Sequence, residues 1–371
     1  MLSYWEKSTL LDFDYTVIGG GLVGCFAALT YTEAHPKAKV ALIERGFLPS
    51  GASTKNAGFA CFGSLSELED DLKDCSLDEL VEITERRYKG ILHLRAALGD
   101  EAIGYFPSKG FELCFDDVNF ERMAFFNKAL LSVFGSEPFS DHSSKLKNYP
   151  FDSRIKGLIA HAFEGTVHTG KLMNTLYQKL GEIGVRVFTG TELLKYDESE
   201  SRVQLEVTSG QQRLDLKAQK VAFCTNAFTQ SFFPDLDIYP GRGLVLVTKP
   251  VAGLHLEGSF HYHSGYNYFR AIDQRILLGG ARHLDKSTET THEFGTNPLL
   301  RAQLVKDLNE FILPGYSVEV DYEWSGIMAF GKNKQPIIQK ISDRVAVAAR
   351  LGGMGVALSS LVGKEVAEVL N

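Results

Sequence analysis

The stretch Asp14-Tyr-Thr-Val-Ile18-Gly19-Gly20-Gly21-Leu22-Val23-Gly24, continuing as the apolar run Cys25 to Tyr31, decides the fold. A run of β-formers ends in three glycines and passes at once into a helical pattern, which predicts strand, tight turn and helix. In such a turn Gly19 allows the reversal, Gly21 lets the backbone approach a pyrophosphate, and Gly24 packs helix on strand. The helix N-terminus, at Leu22 and Val23, then faces the phosphates. After a break at His35-Pro36, Lys39-Val-Ala-Leu-Ile43-Glu44 predicts a second strand ending in an acid. This closes a βαβ unit of about thirty residues. Glu44, twenty residues after Gly24, is spaced to accept hydrogen bonds from a ribose diol. Its carboxylate also repels a 2′-phosphate, an argument that Arg45 beside it weakens.

The rest of the chain bounds what such a unit belongs to. Its 371 residues make one large domain or two ordinary ones, long enough to bury roughly three quarters of the unfolded surface. With 39 Lys+Arg against 46 Asp+Glu the formal net charge is −7. No basic cluster is present to drive binding to RNA or DNA by counterion release, so a nucleic-acid partner is excluded as a first reading. The five cysteines (Cys25, Cys61, Cys75, Cys114, Cys224) are scattered, with no metal-ligand spacing, and favour a reduced compartment. The N-terminus lacks a basic region followed by an apolar one. The longest apolar runs, Val17 to Leu29 and Leu351 to Gly363, fall short of the ~18 residues of a membrane span. The expectation is a cytoplasmic protein without a transmembrane segment.

Residues 66–99 are acidic and helical in pattern, and Met123 to Phe134 predicts another helix, with a β-like piece at Phe111 to Phe115 between them. A helix begins at Thr169. It is followed by Val185 to Phe188 and by alternating strands at Leu205 to Thr208, Arg213 to Lys217 and Lys220 to Cys224. Gly241 to Gly280 reads as a sheet rich in aromatics. The chain closes on Arg344-Val-Ala-Val-Ala-Ala349, the turn Arg350-Leu-Gly-Gly-Met-Gly355 and a helix from Val356 to Leu370. A second strand, Gly-rich turn and helix at the far end implies a nucleotide-binding fold built from discontinuous segments.

The run Gly51-Ala52-Ser53-Thr54-Lys55-Asn56-Ala57-Gly58-Phe59 after the acid-ended strand resembles the FAD-dependent D-amino-acid oxidase superfamily. That group holds glycine oxidases, sarcosine oxidases, amino-acid dehydrogenases and polyamine-derivative oxidases. The resemblance continues in family order through Glu164-Gly-Thr-Val-His-Thr-Gly-Lys-Leu172, Thr191-Glu-Leu193, Val221 to Phe228, Gly241 to Thr248, Tyr268-Phe-Arg270 with Leu277-Leu-Gly-Gly280, Trp324-Ser-Gly-Ile327 and Pro336-Ile-Ile338. It implies FAD as cofactor, with Leu193 at the adenine. The C-terminal Leu351-Gly352-Gly353-Met354-Gly355-Val356-Ala357 would stabilise negative charge at the edge of reduced flavin through backbone N–H groups. Arg350 either adds a positive charge there or is an exposed strand-end residue. Cys61 raises covalent attachment, a buried inert thiol being the simpler reading.

The resemblance implies an α/β protein. A Rossmann-like or three-layer FAD-binding domain is expected from residues 1–90, 155–235 and 325–371. A substrate domain with an antiparallel sheet and helices is expected from 91–154 and 236–324. The implied reaction is hydride removal from a C–N bond of a small amine or amino acid, giving an imine, with O₂ or another electron acceptor reoxidising the flavin. Members that bind carboxylates often carry Arg two residues after the Gly of the Trp-x-Gly-Ile segment, where this chain has Met328. A carboxylate clamp must then come from Arg270, Arg282 or Arg350, with Tyr268 supplying a hydroxyl; otherwise the amine alone is held. His261 and His263 alternate, so one strand would project both to one face. They read as sheet packing, as site lining, or as the base that a rival 2-hydroxyacid dehydrogenase would need; no further ligand spacing supports a metal. A third reading is a FAD-binding subunit without turnover. The expected catalytic set is Tyr268, Arg270, His263 and Arg350.

Overall fold

The computed structural model describes residues 2–371. Asp12–Ile18 lies in the middle of an eight-stranded sheet. It runs parallel to Val40–Ile43 on one side and to Gln212–Phe223 on the other. Arg186–Phe188 and Val345–Ala349 extend the parallel set outward, and Ile337–Lys340 adds an antiparallel edge. Both faces of the parallel strands are buried, as continuous apolar runs of this kind require. On one face lie the helices Leu22–Ala34, Leu77–Leu98 and Gly355–Val369, sharing a core with Tyr15, Val17, Leu42 and Ala346. On the other, the hairpin strands Glu192–Glu198 and Val203–Ser209 share a core with Ile18, Ile43, Phe223 and Val347. This is the three-layer, discontinuous unit that the two Gly-rich turns predict.

The two terminal turns are brought together by direct helix contact. A Cβ at Gly363 would stand 2.6 Å from the Val23 carbonyl oxygen, and one at Gly90 would overlap the Ala357 carbonyl. Ser360 Oγ donates to the Gly90 carbonyl at 2.7 Å. Small residues thus let three helices pack backbone to backbone, which fixes the C-terminal turn beside the N-terminal one.

The second sheet also has eight strands, in the order 320–330, 239–248, 275–280, 267–272, 259–262, 110–114, 157–161 and 139–141. All its pairings are antiparallel except Ser259–Tyr262 with Gly110–Cys114. Helix Pro298–Asp307 shares one core with it through Leu300, Leu304, Phe260, Phe269 and Leu278. A smaller cluster, Val245, Val247 and Leu277 with Phe59, Tyr268 and Trp324, gathers Ala57 from the first unit.

Five elements differ from the sequence reading. The acidic helix of 66–99 is two helices, Leu65–Asp71 and Leu77–Leu98. Ser76 and Glu79 form a reciprocal capping box, and so start a new helix at Leu77. The strands read at Arg213 to Lys217 and Lys220 to Cys224 are one, Gln212–Phe223, no Gly or Pro interrupting it. Gly157–His161, placed by the sequence with the first unit, pairs with Gly110–Cys114 in the second sheet. The strand Val320–Phe330, whose residues from 325 on the sequence places in the first unit, pairs with Tyr239–Thr248 in the second sheet. The helix Phe120–Phe134, placed by the sequence in the second unit, packs through Phe126, Leu130 and Phe134 into the core of the first.

Candidate active site

A cavity of about 910 Å³ runs between the two sheets. Gly19, Gly21, Leu22, Val23, Glu44 and Arg45 line one end, followed by Ala52, Ser53, Asn56, Ala57 and Phe59. Leu193 closes it alongside Thr191 and Glu192. Backbone sets the geometry here. Gly19 has φ +109°, and a Cβ there would stand 2.6 Å from the Cys224 carbonyl oxygen. Gly24 does not line the cavity; a Cβ there would overlap the Gly19 carbonyl, so its absence lets the helix close on the turn. Glu44 Oε2 accepts from the Gly20 N–H at 3.0 Å, and Oε1 accepts from the Gly46 N–H at 2.8 Å. Ser53 Oγ accepts from the Leu22 N–H at 2.9 Å, tying the short helix Ala52–Lys55 to the Gly-rich turn. Asn56 Oδ1 accepts from Gly58 N–H and from Thr169 Oγ1, at 2.8 and 2.9 Å.

The C-terminal turn opens on the same cavity through Leu351, Gly352, Gly353, Met354, Gly355, Val356 and Ala357. Gly352 and Gly353 have φ +57° and +85°, and a Cβ at either would meet nothing closer than Met328 Sδ at 3.8 Å. This backbone therefore stands clear of the protein, at the N-terminus of the 15-residue helix Gly355–Val369. Free N–H groups at a helix N-terminus suit developing negative charge. Cys61 is buried with its sulfur 3.8 Å from Met354 Sδ, and burial pushes its thiol well up. All five cysteines are free.

Of the four residues expected to act on substrate, the structure brings only Tyr268 to the cavity. Its ring meets Phe59 edge-on at 5.4 Å, and burial raises its phenol to about 12. Arg270 is buried, and Nη1 donates to the carbonyls of Gly58 and Val167 at 3.0 and 3.2 Å. It and Gly58 form a backbone clamp behind the wall and line no part of the cavity. Arg350 is also buried, with φ +65°. Its guanidinium donates to Asp237, Gln335 and Asn333, so its charge is met by the Asp237 carboxylate at 2.6 Å. His263 lies past the end of strand Ser259–Tyr262, in a turn with φ +52°, stacked on Phe115. The alternation that would have put it beside His261 ends one residue too early.

His261 does line the cavity, and both its ring nitrogens are buried and, among the described residues, without a hydrogen-bond partner. Nε2 lies 3.9 Å from Glu164 Oε2. Burial lowers this imidazole to about 4 and raises the Glu164 carboxyl to about 8. Glu164 accepts from the Phe62 N–H at 2.8 Å. Of the three arginines offered as a carboxylate clamp, only Arg282 lines the cavity, and sequence reading missed two further lining residues, Glu67 and Lys334. Lys334 bridges Glu67 at 3.2 Å and Asp71 at 2.5 Å, tying the loop at 332–335 to helix Leu65–Asp71. Only their charge hinted at them, because the segments meet solely in the folded chain.

A family model described as DAO, FAD dependent oxidoreductase, matches residues 14–369, and the chain belongs to that family. It is 22% identical over 369 residues to the probable oxidoreductase OrdL of Haemophilus influenzae, covering 96% of this chain and 82% of that one. The fold is similar to glycine oxidase from Geobacillus kaustophilus, at 21% identity and TM-score 0.75, with 97% and 95% of the two chains covered. It is also similar to FAD-bound L-α-glycerophosphate oxidase from Mycoplasma pneumoniae, at 15% identity, TM-score 0.76 and the same coverage. The protein is an FAD-dependent oxidoreductase. The open backbone of both Gly-rich turns and the Glu44 carboxylate, joined by one cavity, fit a dinucleotide of that size. Among the described residues no helix is long and apolar enough to cross a membrane.

Proposed function

We propose that this FAD-dependent oxidoreductase oxidises a C–N bond of a small amine or amino acid. The observation that carries the reading is that the only imidazole lining the cavity among the described residues, His261, has both nitrogens buried. An alcohol needs a base to take its hydroxyl proton as hydride leaves, whereas a neutral amine supplies its own lone pair. A wall without an accessible imidazole nitrogen therefore favours nitrogen over oxygen at the reacting carbon, against the 2-hydroxyacid alternative. The open turns argue against a subunit without turnover, since a scaffold has no need of N–H groups held clear at a helix N-terminus.

FAD supplies the two-electron acceptor for hydride. In this reading Gly19, Gly21, Leu22 and Val23 would hold the pyrophosphate, Glu44 the ribose, and Arg45 and Leu193 the adenine end. Ala52, Ser53, Asn56, Ala57 and Phe59, with Leu351 to Ala357, would hold the flavin. Tyr268, packed on Phe59, would orient the substrate. The carbon loses hydride, nitrogen forms the imine double bond, and water hydrolyses the imine to a carbonyl compound and free amine or ammonia. O₂ or another electron acceptor then completes turnover.

The test is the visible spectrum of the purified protein, followed by anaerobic addition of amino acids, N-methyl amino acids, polyamines and 2-hydroxy acids. Bleaching by a nitrogen-bearing class supports the reading. Bleaching by 2-hydroxy acids alone would replace it.

A further inference from the structure

The geometry points to Arg282 as the anchor for a carboxylate on the substrate, an inference that rests on the amine-oxidation reading and narrows its substrate class. Arg282 lines the cavity at the end of the strand Arg275–Gly280, where Ala281 turns the chain with φ +61°. Its guanidinium lies 4.1 Å above the ring of Phe330. Stacking of this kind covers the face of a guanidinium and leaves its edge donors free for a planar, bidentate partner. No such partner is present: among the described residues its side chain has no hydrogen bond or ion pair, whereas Arg270 donates to two carbonyls, Arg350 meets Asp237, and Lys334 meets Glu67 and Asp71.

Glycines keep the approach open. Gly241 and Gly243 pair in register with Met328 and Gly326, and Arg282 Nη1 lies 3.4 Å from where a Cβ at Gly241 would stand. Gly243, Gly326 and Met328 line the cavity, Met328 carrying no charge. Arg282 thus brings a guanidinium from the neighbouring strand end to the register partner of Met328. Burial lowers its pKa, a cost that an anionic partner would relieve. A carboxylate offers the two coplanar oxygens that match the free edge.

The experiment uses the FAD-loaded protein and titrates it with sodium benzoate and with benzamide, its neutral isostere, following the flavin absorbance band. Wild type is expected to show a saturable shift with benzoate and none with benzamide. Arg282→Met should weaken benzoate binding by about 30-fold, the scale of a charge-assisted pair, and Arg282→Lys by less. If Arg282→Met loses FAD, Arg282→Lys and Arg282→Gln carry the comparison. The inference is overturned by equal benzoate affinity in these variants and wild type, by benzamide binding as well as benzoate, or by no benzoate binding at all. Amines without a carboxylate that bleach the flavin as fast as amino acids would remove the anchor and leave the amine reading standing. Loss of benzoate affinity in Arg282→Met, with no amine bleaching the flavin, would do the reverse.

Discussion

The two ends of the cavity are shaped by different means. At the nucleotide end the chain's backbone forms the surface: glycines at 19, 21, 352 and 353 remove side chains, and N–H groups are held by Glu44 and Ser53. At the substrate end side chains do the same task, with His261, Tyr268 and Arg282 arriving from neighbouring elements of the second sheet and Lys334 joined to Glu67 and Asp71 from far along the chain. At the N-terminal turn such a backbone-built end tolerates almost no added atom, as the contacts a Cβ would make at Gly19 and Gly24 show. A side-chain-built end can be changed one residue at a time. The difference predicts that substitutions will fall into two classes, loss of flavin at one end and altered substrate handling at the other.

The strongest way to break this contrast is Gly24→Ala. Its Cβ would overlap the Gly19 carbonyl oxygen, so the turn and helix must part, at about 3 kcal/mol of stability. The protein is expected to purify with little flavin and a lower urea midpoint; full flavin content would show that the turn is not rigid. Next in size is Arg270→Met. Removing a buried guanidinium that donates to Gly58 and Val167 should cost about 2 kcal/mol. Apparent affinity for carboxylate substrates should stay the same in the folded fraction, and a raised KM instead would return Arg270 to substrate binding.

Glu44→Ala sharpens the nucleotide side. It leaves the N–H groups of Gly20 and Gly46 without their acceptor, and FAD affinity should fall about tenfold, roughly the worth of one charge-assisted hydrogen bond. Titration of the apoprotein with FAD reads this directly, an unchanged Kd meaning that Glu44 merely braces the loop.

The same contrast explains what was legible in the sequence. Gly19, Gly21 and Gly24 announce themselves because only glycine meets the steric requirement, and strand, turn, helix and Glu44 follow within one local segment. The C-terminal turn is equally local. Arg270 and Arg350 misled for one shared reason: residue type advertises a charge but not its partner, and here the partners, Gly58 and Val167 or Asp237, lie about a hundred residues or more away. His263 failed on a strand end misjudged by one residue. Arg282 was one of three arginines open to the same role, and only the burial and bonding of the other two in the folded chain separate it from them.

The smallest effect probes what backs the substrate wall. Glu164 is raised to about 8, first by burial and then by the neighbouring Glu67 and Glu112, against the lowering influence of the Phe62 and Gly63 N–H groups. In the unfolded chain it ionises near 4.5. Between these values the folded state holds a proton that the unfolded state has released. Its contribution to stability is therefore fully present below 4.5 and lost as pH rises through about 8. His261 and His161, lowered to about 4 and about 3 by burial, act oppositely: their contribution is present above 6.5 and lost as pH falls through those values. The two trends oppose each other below 6.5, and of these three groups only Glu164 titrates from 6.5 to 8. There stability should fall by about 1 kcal/mol per pH unit, and Glu164→Gln, which keeps an acceptor for Phe62, should flatten the slope. Urea midpoints for the two proteins at pH 6.5 and pH 8 give the comparison. Equal slopes would mean that Glu164 is already ionised in the fold, and that the wall behind His261 carries a charge like the Lys334 cluster in front of it.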